Sequence, residues 1–393
     1  MIQKTRGGLC APAGFLCGSI SSGIKNPKAT RLDTALIVSA RPCASAATFT
    51  TNVVKAAPVL VSMDHMKTGK VRAIVLNSGN ANACTGPAGL ADSRRMAKAA
   101  AQRTALAPEQ VVVGSTGRIG VSMPIARIED GISRIRLSRG KSRACAQAIM
   151  TSDTFPKEIA LSVKTRSGTF HIGGIAKGAG MIDPNMATML CVVTTDALLS
   201  QAALRQAVRA SVETSFNRIT VDGDMSTNDT VFALANGASG IRPPAAVFQK
   251  ALDTVTQSLA RMIVKDGEGV SKFIEIVVRG AASPDDAKRA AEAVANSTLV
   301  KCAWAGGDPN WGRIMDALGY SGARMREDRT KIFYDNLPIV TGGTVAGTPW
   351  AKLRAVARKK EFRIVIDLAV GKSSHIVWTT DLTEEYVRLN LGE

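Results

Sequence analysis

At 393 residues, with 45% hydrophobic and 21% charged side chains, the chain can bury a sizeable core, and disorder as its main state is excluded. The length favours two lobes or one large composite domain. Lys and Arg number 50 against 32 Asp and Glu, a net charge of +18 that would suit nucleic acid, but aromatic residues make up only 4% and do not interleave with the positives. The charge therefore reads as solvated faces of helix-like segments such as 92–103 and 134–143, and it is compatible with a small anionic substrate.

From the N-terminus onward, "LCAPAGFLCGSI" is too short and too broken by Pro12, Gly14 and Gly18 for a leader, and no run is long enough to cross a bilayer. The expected address is the cytoplasm, with no membrane partner. "VRAIVL" (71–76) reads as a buried strand ending in the loop "NSGNANACTG", followed by an Ala-rich helix over 88–106. "QVVVG" (110–114) is a second short strand that delivers "STGRIG" at its carboxyl end. Residues 158–178 form an expected hairpin turned at Arg166-Ser167-Gly168. A strand opening at Thr188, a helix near 200–215, the loop "TVDGDMSTNDT" and a helix near 245–263 come next. Segments 272–281, 285–297 and 300–306 read as strand, helix, strand, and 362–382 as a closing hairpin. With no low-complexity linker or repeat, the predicted fold class is α/β, mixed sheets covered by helices.

The seven cysteines are scattered without a CxxC pair and read as small buried hydrophobes in a reducing compartment. His65, His171 and His375 stand beside no candidate nucleophile and at no metal-ligand spacing, so neither a metal site nor a Ser-His-Asp or Cys-His enzyme is supported. Polar loops rich in Thr, Asn, Gly and Asp fall at strand ends, where α/β proteins build sites. GxGxxG and Walker patterns are absent.

The stretch "IAKGAGMIDPNMATMLCVVTTDA" (175–197) places Thr188 directly after dense turn chemistry. A threonine hydroxyl is a weak nucleophile without a base, and this chain offers no convincing histidine. An α-amine, with its ordinary pKa of ~7.7–8.0, could serve instead if the Ala187-Thr188 bond were cut, the hydroxyl attacking the preceding carbonyl through an ester that water releases. A strained turn at Asp183-Pro184-Asn185 would expose that carbonyl. On composition alone, the reading of Thr188 as an ordinary β-branched strand residue prevails.

"STGRIG", "IMTSDTFPKE", "KGAGMIDPNMATML", "SFNRITVDGDMSTNDT", "VKDGEGVSKFIE" and "GGDPNWGRIMDALGYSG" together resemble the ornithine acetyltransferase family, the glutamate N-acetyltransferases of arginine biosynthesis. The likeness extends in family order through "APAGFLCGSISSGIK", "FTTNVVKAAPVL" and "LNSGNANACTG". It implies a self-cleaving α/β sandwich distinct from the N-terminal-nucleophile hydrolases, cut between Ala187 and Thr188 into an α chain (1–187) and a β chain (188–393) assembled as α2β2. It implies ping-pong transfer of acetyl from N-acetylornithine to glutamate through Thr188, with no metal or organic cofactor and with acetyl-coenzyme A left open as a second donor. By the same resemblance Thr116 and Gly117 stabilise the oxyanion, and Thr154, Lys177, Thr188, Glu268 and Asn390 touch substrate. One departure stands out: the family commonly ends on a further hydroxyl residue beyond Asn390, whereas this sequence stops at "NLGE", which puts the substrate carboxylate clamp in question. A threonine-nucleophile amidase or aminopeptidase, a secondary-metabolism acetyltransferase of the same family, and a basic nucleic-acid binder are the competing readings.

Overall fold

A computed structural model describes residues 1–183 and 189–391. The chain divides into two compact units, one of Met1–Asn217 with Asp224–Ile263 and one of Arg218–Gly223 with Val264–Glu393.

The first unit holds two sheets. A four-stranded sheet runs Phe15–Ile20, Thr34–Ser39, Ala73–Asn77, Val111–Ser115, and a six-stranded sheet runs Ile2–Lys4, Lys157–Thr165, Gly168–Lys177, Leu190–Thr195, Thr230–Ala235, Ala44–Phe49. Alternation along the strands decides what each face meets. Ala35, Ile37, Ile74, Leu76 and Val112 join Ile175, Leu190, Val192, Phe232 and Leu234 in one core between the sheets. The intervening Leu36, Val38, Ala73, Val75, Val111 and Val113 pack outward on Met96, Ala97, Ala100 and Ala101 of helix Gly86–Thr104 and on Ile128 and Ile132 of helix Ile125–Arg134. Behind the larger sheet, Gly174 leaves room for Val255 and Leu259 of helix Ala245–Lys265, since a Cβ there would stand 3.1 Å from each. The result is a helix-sheet-sheet-helix sandwich, the α/β class expected.

The second unit has one six-stranded sheet, in the order Thr344–Val345, Leu337–Thr341, Lys331–Tyr334, Glu361–Asp367, Phe273–Ala281, Ser373–Thr380. Helices Pro284–Asn296, Thr298–Ala305 and Trp311–Tyr320 cover it. At its centre Phe362 stacks on Tyr334 (5.8 Å between ring centroids), and Trp304 Nε1 donates to the Tyr334 hydroxyl at 3.2 Å.

Four expectations are corrected. The segment 300–306 is helical within Thr298–Ala305: the Ser297 hydroxyl caps Val300 N, and Val300, Ala303 and Trp304, at helical spacing, turn inward. The strands of the expected 362–382 hairpin do not pair with each other, because Phe273–Ala281 lies between them, parallel to Glu361–Asp367 and antiparallel to Ser373–Thr380. The basic run 134–143 is not a helix: one helix ends at Arg134, the next begins at Ser142, and Arg139 and Gly140 form the turn between them. Of the cysteines, Cys10, Cys17, Cys145 and Cys191 are buried, but Cys43 is half-buried and Cys84 and Cys302 are exposed. Among the described residues no helix is long and apolar enough to cross a membrane.

Lys301 is fully enclosed in the second unit, its ammonium donating to Thr379 Oγ1 at 2.8 Å and to Thr380 O at 2.6 Å. Burial pushes its pKa from the usual 10.5 down to about 7, against the pull of Asp381 and Asp222. The unfolded chain therefore binds more protons between about pH 7 and 10.5, and this group makes stability rise with pH across that window. Lys301→Met is expected to remove the slope, so that chemical denaturation at pH 7 and pH 10 shows the parent gaining on the variant by up to ~1.4 kcal/mol per pH unit. Parallel pH curves for the two proteins would contradict this.

Candidate active site

Strands Ala73–Asn77 and Val111–Ser115 are parallel and in register, so Asn77 lies opposite Ser115 and the loops beyond them leave the sheet side by side. Side chains weld those loops together. Ser115 Oγ donates to Asn77 Oδ1 (2.6 Å), Asn77 Nδ2 to Asn80 O (2.9 Å), and Thr116 N to Asn77 O (3.0 Å). Asn80 Oδ1 accepts from Asn82 N at 2.8 Å, while its Nδ2 donates to Val121 O at 3.1 Å. Gly117 has φ +130°, and a Cβ there would sit 2.4 Å from Gly79 C and 2.5 Å from Asn80 N. Only glycine lets the two loops approach this closely.

Facing them is a buried charge cluster. The Asp153 carboxylate accepts from Lys157 Nζ at 2.6 Å, Gly178 N at 2.7 Å and Thr151 N at 3.0 Å, with Lys177 Nζ 4.0 Å away. Burial alone would push this carboxyl up; Lys177, Lys157 and the Gly178 N–H outweigh it and hold it down at about 2. Lys177, only 2% exposed, donates to Thr116 Oγ1 at 3.4 Å, which leaves the Thr116 proton available for another acceptor. Register places Lys177 opposite Leu190, at the start of the strand that follows Thr188. Thr154 lines a cavity of about 490 Å³ together with Arg31, Met150 and Asp153.

Two residues that sequence reasoning missed stand at the same place. Asp229 Oδ1 accepts from Met189 N at 2.9 Å, and Asn228 Nδ2 donates to Ala81 O at 2.6 Å and Ser115 O at 2.9 Å. Their signal was a polar Thr-Asn-Asp run leading straight into the apolar strand Thr230–Ala235. Burial raises the Asp229 carboxyl well above the carboxylate range, opposed by the Met189 N–H, Lys177 and Thr50.

Glu268 and Asn390 belong to the second unit and meet there: Asn390 Nδ2 donates to Glu268 Oε2 at 3.0 Å and to Tyr386 O at 2.9 Å. The Tyr386 hydroxyl donates to Asp222 Oδ2 at 3.2 Å, and Thr383 Oγ1 to Gly269 O, tying the loop of Glu268 to helix Glu384–Leu389. Thus the structure brings Thr116, Gly117 and Lys177 together with Thr154 nearby, and separately pairs Glu268 with Asn390. Ala187, Thr188 and the turn residues Pro184 and Asn185 lie outside the described residues.

A family model described as the ArgJ family matches residues 16–392. The chain is 49% identical over 391 residues to the arginine biosynthesis bifunctional protein ArgJ of Geobacter sulfurreducens, covering 96% of this chain and 98% of that one. It is 43% identical to the glutamate N-acetyltransferase of Methanocaldococcus jannaschii, with 98% of both chains covered. Among solved structures, the arginine biosynthesis bifunctional protein argJ of Bacillus halodurans matches with a TM-score of 0.50 at 37% identity, covering 51% of this chain and 98% of that chain.

Asp153→Ala would remove the buried carboxylate on which Lys157 and Lys177 converge, an expected loss of ~3–5 kcal/mol in chemical denaturation. Because its folded pKa is depressed, the stabilisation from Asp153 should be complete above about pH 4 and fade as pH falls toward 2. An unmoved midpoint in the variant contradicts the cluster's role.

Proposed function

This chain belongs to the ArgJ family, and we propose that it is an ornithine acetyltransferase of arginine biosynthesis, moving acetyl from N-acetylornithine to glutamate through an acetyl-threonine on Thr188. The observation that carries the reading is the meeting of an oxyanion-type donor and a buried cation where Thr188's strand begins: Lys177 reaches Thr116 at 3.4 Å and is in register with Leu190.

Maturation comes first. Thr188 Oγ attacks the Ala187 carbonyl carbon, the peptide becomes an ester, and water releases an α chain of 1–187 and a β chain of 188–393. The products would stay together, because the six-stranded sheet is built from both: Leu190–Thr195 is bonded on one side to Gly168–Lys177 and on the other to Thr230–Ala235, which in turn pairs with Ala44–Phe49. The match of nearly all of the Bacillus halodurans chain to 51% of this one fits a precursor cut near its middle.

In the first half-reaction the new α-amine of Thr188 takes the proton of its own hydroxyl, and Oγ attacks the acetyl carbonyl. The oxyanion would be met by the Thr116 hydroxyl and Gly117 N–H, with the Lys177 charge close behind. Ornithine leaves with the proton, and the amine of glutamate then takes the acetyl group by the reverse steps. Thr154, Lys177, Glu268 and Asn390 are the residues the family likeness assigns to substrate contact, and a lysine and a glutamate of opposite sign suit the carboxylate and ammonium of an amino acid. Acetyl-coenzyme A as second donor, an α2β2 assembly and a cytoplasmic address complete the proposal.

Purified protein should run as two fragments on a denaturing gel, the second beginning at Thr188 by N-terminal sequencing, and Thr188→Ala should remain whole and inactive. Active enzyme that stays a single band sinks the self-cleaving nucleophile, and product released by water without an amine acceptor would indicate an amidase. In fully processed protein, Thr116→Ala is expected to lower kcat by about 10²–10³ with a smaller rise in KM. An unchanged kcat removes Thr116 from the oxyanion role.

A further inference from the structure

Asn228 and Asp229 are adjacent, buried and unused by the chemistry above, and their side chains grip opposite walls of the site. Asn228 Nδ2 holds Ser115 O at 2.9 Å, the residue before Thr116, and Ala81 O at 2.6 Å in the neighbouring loop. The Thr227 hydroxyl donates to Asn228 Oδ1 at 2.5 Å, which fixes the amide end that faces those carbonyls. Asp229 Oδ1 holds Met189 N at 2.9 Å, the residue after Thr188, while Thr230 N donates to Met189 O at 3.1 Å. The main chain of Asp229 is itself anchored, its carbonyl accepting from Thr50 N at 2.9 Å.

We propose that Asn228 and Asp229 form a two-residue bracket that sets the spacing between Thr188 and the Thr116–Gly117 donors. The inference rests on the reading of Thr188 as nucleophile. Consecutive side chains one peptide unit apart hold the residue that precedes the donor and the residue that follows the nucleophile, so the backbone between them acts as a ruler. Nucleophile and oxyanion donors work only at defined separation, and a misplacement of about 1 Å can lower the rate about 10²-fold. Both are positioning residues, acting through Met189 and Ser115.

The two positions need opposite chemistry. Asp229 must accept a hydrogen bond from Met189 N, and it lies in full burial with Oδ2 lacking a hydrogen-bond partner among the described residues. Burial favours its neutral acid, which adds no anion beside a developing oxyanion and which a carboxamide copies in shape. Asn228 must donate, twice, to carbonyl oxygens. A carboxylate of the same size there would face two acceptors with no proton to offer.

The test uses the full chain, with Asp229→Ala, Asp229→Asn and Asn228→Asp compared with the parent and with Thr188→Ala for cleavage, kcat, KM and thermal melting. Asp229→Ala is expected to lower kcat about 100-fold with KM within about threefold, and Asp229→Asn to recover at least about tenfold of that loss. Asn228→Asp is expected to lose about 100-fold despite its unchanged volume. Equal tolerance of the two isosteres, or parental kcat in Asp229→Ala, overturns the bracket. Should Asp229→Ala fail to fold, the contrast between Asp229→Asn and Asn228→Asp decides alone. If Thr188→Ala is inactive while Asn228→Asp keeps parental kcat, the bracket fails and the nucleophile stands; if Thr188→Ala is as active as the parent, the nucleophile assignment fails and the bracket with it.

Discussion

A carboxylate with no solvent is tolerable only where its charge and lone pairs are met. Asp153 is such a group, and much of the site depends on how it is met: two ammonium groups and two backbone N–H groups converge on its oxygens. Removing the carboxylate itself would take from two buried ammonium groups the anion on which both converge. The same arrangement fixes where Lys177 ends, since its ammonium lies between Asp153 and Thr116. Burial pushes the Asp229 carboxyl up, while Lys157 and Lys177 both converge on the Asp153 carboxylate. The Lys177 ammonium faces the loops proposed to receive an oxyanion, and it suits an amino-acid carboxylate as well.

The scaffold translates this local electrostatics into defined geometry. Parallel pairing brings Asn77 and Ser115 to one sheet edge, and Gly117 lets the two loops touch where any Cβ would collide with backbone. The larger sheet carries Lys177, Leu190 and Thr230 across three neighbouring strands in register, so the strand from Leu190 onward is tied on both sides by main-chain bonds. A proposed cut before Thr188 leaves that ladder intact. It frees a terminus at the site while the strands around it remain one sheet.

Legibility in the sequence followed physical rule. Short apolar β-branched runs bounded by glycine and asparagine, such as 71–76 and 110–114, declared the buried parallel strands, and their polar loops declared the site edge. The helix 298–305 was misread because eight residues with three inward apolar positions satisfy strand and helix patterns equally; only the Ser297 cap distinguishes them. The 362–382 pairing failed because a third strand, distant in sequence, inserts between two neighbours. The roles of Asp153 and Asp229 were hidden for a different reason. Their meaning lies in burial and in partners far along the chain, whereas Thr116, Gly117 and Lys177 sat in motifs recognisable as local strings.

The central claim is that acetyl passes through a covalent threonine ester. Its most direct measurement is mass spectrometry of processed enzyme incubated with N-acetylornithine and no glutamate, followed by peptide mapping. The account predicts a β chain one acetyl group heavier, with the group on Thr188 and lost when glutamate is added as N-acetylglutamate forms. An unmodified β chain under conditions that sustain turnover, or acetyl on any other residue, would contradict it.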